Sequence, residues 1–164
     1  MSTILNVGDD PCYRIPVMER AGLIVVRTQC SVGALEDAFA VGTIFSAITF
    51  HTEVDGPVQA AVSSARRLCE APLILFQNSS TRCDENLFDL IIPAQTPPAL
   101  WLKSLQEAIL KAHNIHKKSD QLQKDCASLR SASRELRRKS AQIRENLVDI
   151  DAFWRDPSNS GEEK

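Results

Sequence analysis

Asp9 and Asp10 are adjacent carboxylates that directly follow a short β-favouring run, Thr3 to Val7. Two carboxylates at the end of a strand can hold an oxygen-loving divalent cation such as Mg²⁺. Asp10 precedes Pro11, so it can equally cap a helix whose first N–H groups lack partners. Two further polar groups follow apolar runs: His51-Thr52-Glu53, and Gln77-Asn78-Ser79-Ser80. His51 has the chemistry of a metal ligand or a phosphoryl acceptor, and the plain reading is a solvated loop histidine. His113 and His116 stand three apart, near enough to share a metal on one helix face. Other catalytic patterns are missing. Gly8, Gly22 and Gly33 match neither phosphate-loop nor dinucleotide spacing, and no Gly-x-Ser-x-Gly occurs. The five cysteines, Cys12, Cys30, Cys69, Cys83 and Cys126, form no Cys-x-x-Cys pair. They read as reduced thiols of a cytoplasmic protein rather than as a zinc site.

Five apolar, β-rich runs hold these groups in place. They are Thr3 to Val7, Leu23 to Thr28, Phe45 to Phe50, Pro72 to Phe76 and Phe88 to Ile92. Helices are predicted between them. The first runs from Pro11 to Arg20 and stops at Ala21-Gly22, with Pro16 as an anomaly inside it. The second covers Val32 to Ala40, capped by Ser31, with Val32, Leu35, Ala38 and Phe39 inward. The third covers Pro57 to Cys69, with Val58, Ala61, Val62, Ala65 and Leu68 inward. A short helix is expected near Cys83 to Leu87, and Pro97-Pro98 opens the last. The order βαβαβαβαβα, with continuous apolar strands, predicts an α/β fold: a five-stranded doubly wound parallel sheet. Such sheets carry their ligand sites at the carboxyl ends of the strands.

The last helix is predicted to be long, because no Pro or Gly interrupts residues 99–155. Along it runs a row at seven-residue intervals: Ile115, Leu122, Leu129, Leu136, Ile143 and Ile150. Three residues before each lies a second row: Ala112, Ser119, Cys126, Ser133, Ser140 and Leu147, with Trp154 closing it. Alternating steps of three and four mark a coiled-coil seam, the first row at d and the second at a. Leucine at d favours a parallel pair, and the small a residues also suit an antiparallel one. In a parallel, in-register pair Cys126 faces its twin.

Charge divides the chain too. Residues 1–110 hold seven Lys/Arg against twelve Asp/Glu; residues 111–146 hold ten against four; residues 147–164 hold two against five. An acidic domain therefore carries a basic helix with an acidic end. The overall 43% hydrophobic and 24% charged content is ordinary for a soluble protein. No signal peptide and no run of about 20 apolar residues is apparent, so no membrane partner is expected.

The acidic pair after strand 1, the Ala-Gly before strand 2, the proline opening strand 4 and the Pro93 closing strand 5 resemble the receiver domain of two-component response regulators. The resemblance covers about residues 2–112. It implies a signalling role in which the acidic pair binds Mg²⁺, a strand-3 aspartate accepts a phosphoryl group, and a Ser/Thr after strand 4 and a Lys after strand 5 sense it. On this chain Asp9 and Asp10 match the acidic pair. His51 stands at the acceptor position, with Asp55 of Asp55-Gly56 a poor substitute. Gln77 stands at the Ser/Thr position, with Ser79 and Ser80 displaced, and Ile92 at the lysine.

The expectation is a degenerate receiver, residues 2–112, without aspartyl-phosphate chemistry and with no cofactor beyond weak Mg²⁺ at Asp9 and Asp10. Residues 113–154 form the coiled-coil helix and residues 155–164 a disordered acidic tail. The protein is read as a non-enzymatic, cytoplasmic interaction protein that homodimerises through Ile115, Leu122, Cys126, Leu129, Leu136, Ile143, Leu147 and Ile150. Two alternatives stay open: a nucleic-acid-binding, antiterminator-like regulator using the basic helix, and a phosphoreceiver with an unusual acceptor.

Overall fold

Five short parallel strands form one sheet in the order β2-β1-β3-β4-β5: β1 Thr3–Val7, β2 Ile24–Thr28, β3 Ala47–Phe50, β4 Leu73–Gln77 and β5 Leu90–Pro93. Between them lie α1 Arg14–Arg20, α2 Val32–Ala40, α3 Gly56–Leu68 and a single 3₁₀ turn at Glu85–Leu87, and α4 Pro98–Arg155 follows. The computed structural model describes residues 2–51, 56–77 and 85–155, with backbone alone at 56, 57, 85 and 148–155. Residues 156–164 of the expected tail, with Asp55, Ser79, Ser80 and Cys83, lie outside the described residues, as do the side chains of Ile150 and Trp154, while Arg155 closes α4.

Side chains alternate between the two faces of the sheet, as the two-residue period of a strand requires. Leu5, Val7, Ile48, Phe50, Leu73 and Leu75 pack on one face with Leu35 of α2 and Val58, Ala61, Val62 and Ala65 of α3. Ile4, Ala47, Ile74, Phe76 and Ile92 pack on the other with Ile15 and Met18 of α1 and Trp101 and Leu105 of α4. Both faces are covered by helices, as a doubly wound parallel sheet requires. Trp101 and Leu105 are four apart, so one stripe of the first turns of α4 faces the sheet.

Several elements differ from expectation for physical reasons. The first helix starts at Arg14, not Pro11. Proline clashes with the carbonyl four residues back and lacks an N–H, so it is tolerated only where no such bond is due. Starting at Arg14 puts Pro16 in the first turn. The helix stops at Arg20, and Gly22 just beyond it, with a φ of 82°, lets Leu23 N–H return to the Met18 carbonyl at 3.1 Å. The third helix buries Ser64 and leaves Leu68 40% exposed, because Leu68 lies at the helix end, beyond the last turn facing the sheet. The second strand pairs only with β1, and its Ile24 is 47% exposed. The fifth strand begins two residues later than expected and includes Pro93, which an edge strand accommodates.

The chain forms two compact units, Met1–Ile115 and His116–Lys164. The described part of the second is the continuation of α4 to Arg155. Its described seam leucines and isoleucines, with Ile115, are 57–70% exposed. No helix among the described residues is long and apolar enough to cross a membrane.

Candidate functional site

The acidic pair is split by the turn that follows β1. Asp9 is exposed. Asp10 is largely buried and turns its carboxylate onto the start of α1, where Oδ1 accepts from Arg14 N at 2.9 Å and Oδ2 from Ile15 N at 2.8 Å. The expected cap is therefore made, but across a longer turn. Tyr13 supports that turn in a left-handed conformation, φ 52°. Two N–H groups without helical acceptors are thereby satisfied by one negative charge at the positive end of the helix. Asp10→Ala is expected to destabilise residues 2–115 by about 1–2 kcal/mol, with Asp10→Asn retaining part of the effect. Urea unfolding followed by circular dichroism reads both.

His51 follows β3 and shares the face of Ala47 and Thr49. Its side chain is 1% exposed. Its ring stacks on Phe76 of β4, centroids 4.7 Å apart, and Nδ1 lies 3.7 Å from Asp10 Oδ1, beyond hydrogen-bonding range. Nε2 is buried without a partner among the described residues. Burial lowers the His51 pKa from 6.5 to about 4; the nearby Asp10 carboxylate opposes this shift and Arg14 adds to it. The ring is consequently neutral at pH 7, and its approach to Asp10 is a polar contact rather than an ion pair.

Arg14 is the residue that sequence reasoning missed. It lies 5% exposed at the start of α1. Its guanidinium sits over the Phe76 ring at 4.1 Å, and Nη2 donates to the Ala94 carbonyl at 3.2 Å, just past β5. Burial weakens its basicity, with Cys12 and Asp10 pulling the other way. Phe76 is thus clasped by His51, by Arg14, and by Trp101 of α4, whose ring meets it edge-on at 5.4 Å. The available signal was the four-residue spacing from Asp10 to Arg14, which places an arginine beside the capping carboxylate.

The remaining expected positions fall apart from this cluster. Ile92, at the expected lysine position, is buried in the core beneath α1 and α4. Gln77 is half-buried at the end of β4, paired in register with Pro93. Beneath these, Thr49 Oγ1 donates to Asn6 Oδ1 at 3.0 Å, and Asn6 Nδ2 donates to the Gly8 carbonyl at 3.0 Å. These bonds brace the turn carrying Asp9 and Asp10. An open cleft of about 890 Å³ lies at the ends of β1 and β2 beside α2. Asp9, Asp10, Arg27, Thr28 and Asp37 line it, and His51, Gln77 and Ile92 do not.

The donor set does not suit Mg²⁺ held as the resemblance implies. Both Asp10 oxygens already accept backbone hydrogen bonds, the expected acceptor position holds an imidazole, and a guanidinium sits nearby. Among the described residues no three His, Cys, Asp or Glu side chains converge. What the arrangement does chemically is fill a strand-end pocket with stacked rings and one buried cation.

No family model and no curated protein sequence matches the chain. Solved structures do. A response regulator receiver domain protein from Methanospirillum hungatei superposes with a TM-score of 0.55 at 17% identity, covering 70% of this chain and 98% of that one. A two-component response regulator from Clostridium difficile gives 0.54 at 14%, covering 70% and 99%. A structure described as adenylate cyclase from Rhodopirellula baltica gives 0.61 at 13%, covering 74% and 97%. The fold is that of response-regulator receiver domains.

Proposed function

We propose that this chain is a non-enzymatic signalling protein, a receiver-like domain whose long helix pairs with a second copy, and that it acts without aspartyl phosphorylation. The observation that carries the reading is the occupant of the acceptor position. His51 is neutral, buried and stacked on Phe76, so the expected acceptor position offers no carboxylate to attack a phosphodonor and form an acyl phosphate. Burial likewise argues against the histidine as an unusual acceptor. The exposed heptad row supports pairing: six large apolar side chains, Ile115, Leu122, Leu129, Leu136, Ile143 and Leu147, are each more than half exposed on one helix. Thiols rather than disulfides at Cys12, Cys30, Cys69 and Cys126 suit a cytoplasmic setting.

Incubation of the full chain with Mg²⁺ and a small phosphodonor such as acetyl phosphate is expected to leave its intact mass unchanged. A stable gain of one phosphoryl group would overturn phosphorylation independence. Titration with Mg²⁺ alone reads any weak cation affinity at Asp9 and Asp10. For pairing, the full chain is expected to sediment as a dimer at micromolar concentration. Leu129→Lys with Leu136→Lys should return it to a monomer, because four lysines would then enter the seam of each pair. A monomeric parent chain would sink the pairing reading.

A further inference from the structure

The two flanks of the heptad stripe differ in how their charges are answered. With Leu122, Leu129, Leu136 and Ile143 at d, one flank carries Asp125 and Lys139, and the other carries Arg130, Arg137 and Arg144. The first flank is answered within the helix. Gln121 Nε2 donates to Asp125 Oδ1 at 2.9 Å, and Lys139 Nζ lies 3.0 Å from Glu135 Oε1. The second is not. None of the three arginines has an acidic residue three or four positions away, and none forms an ion pair among the described residues.

Self-pairing leaves this flank mostly unanswered in either direction. In a parallel pair each e position faces the preceding g position of the other helix. Arg130 then meets Asp125, Arg137 meets Ala132, and Arg144 meets Lys139, giving one attraction, one neutral contact and one repulsion. In an antiparallel pair e faces e, and arginine faces arginine. Volume raises a second, independent difficulty. The a row presents Ser119, Cys126, Ser133 and Ser140. A parallel self-pair stacks these small polar residues on themselves and forfeits apolar burial at four successive layers. An antiparallel pair would seat them against leucines, but it also sets the arginine flanks against each other.

One kind of partner relieves both difficulties. We infer that the preferred occupant of this seam is an acidic amphipathic helix of a different chain. It has bulky aliphatic residues opposite Ser119, Ser133 and Ser140, and carboxylates along the edge facing Arg130, Arg137 and Arg144. This rests on the pairing reading of the same helix and gives it a direction. The self-paired form is a weakly specified state from which such a helix displaces the second copy.

The test titrates full-length protein into a labelled 35-residue helical peptide with Ile at a, Leu at d and Glu at e and g, read by fluorescence anisotropy and sedimentation. A second peptide carries Lys at e and g; both repel themselves and stay monomeric. The glutamate peptide is expected to bind roughly tenfold or more tightly than the lysine peptide, and to weaken as salt rises. Arg130→Glu, Arg137→Glu and Arg144→Glu together should invert that preference, with helix content by circular dichroism unchanged. Equal affinity for the two peptides would overturn the inference. So would a self-paired dimer that neither peptide disrupts, which leaves homodimerisation itself standing. Displacement of the glutamate peptide by a labelled RNA or DNA duplex at lower concentration would assign the arginine flank to nucleic acid and also overturn it. Conversely, a parent chain that is monomeric alone yet binds the glutamate peptide removes self-pairing and upholds the acidic partner.

Discussion

Trp101→Ala is expected to destabilise residues 2–115 by about 3–5 kcal/mol, the usual cost of truncating a large buried aromatic side chain. Trp101 is 2% exposed and meets Phe76 edge-on at 5.4 Å. Phe76 in turn lies against the His51 ring and beneath the Arg14 guanidinium. Removing the indole therefore leaves a cavity against β4 and frees one side of a ring held from three directions. Leu100→Ala, one residue earlier and largely exposed on the same helix, should change stability by no more than about 0.5 kcal/mol. Urea unfolding at pH 7 reads both variants. A loss below about 1 kcal/mol for Trp101→Ala would mean that the first turns of α4 contribute little to the packing of this face.

Acid should weaken the protein in a window set by His51. The folded-state pKa is depressed to about 4 from 6.5, so the unfolded chain binds this proton more readily than the folded one. Above pH 6.5 both states are neutral at this position and its effect is absent. As pH falls from 6.5 towards 4 the unfolded state is progressively favoured, by up to about 3 kcal/mol. Below that range both states carry the proton and this contribution levels off. The measurement is the difference between parent and His51→Gln unfolding free energies at several pH values, which removes the carboxylates common to both. Parent stability relative to the variant should decline between pH 6.5 and 4. A difference that stays flat through this window would mean that His51 is solvated or already charged in the folded protein.

The parallel sheet was legible because its signals are local. Apolar runs of five or six residues, Ser31 before a helical period, and Gly22 after one each act within a few residues. The structure places the expected strands within two residues of their bounds and α2 at Val32–Ala40 as expected. The start of α1 was less legible, since Asp10-Pro11 is a good cap signal in isolation. The position of Pro16 decided it, through a clash that depends on where the helix begins. Leu68 and Ser64 exchanged roles because helical period alone does not say where the sheet beneath α3 ends.

For the site, the sequence by itself determined the chemistry available at the strand ends: an acidic pair after β1, an imidazole after β3, an amide after β4 and an aliphatic residue in β5. Residue type and order suffice for that, because consecutive parallel strands bring their carboxyl ends to one edge. It also determined the heptad stripe, whose period is a property of the helix alone. Tertiary structure decided what the groups do. Strand register set His51 against Phe76, the delayed start of α1 brought Arg14 over the same ring, and burial made the imidazole neutral. Protonation depends on desolvation and neighbouring charge, and both arise only once distant segments pack together.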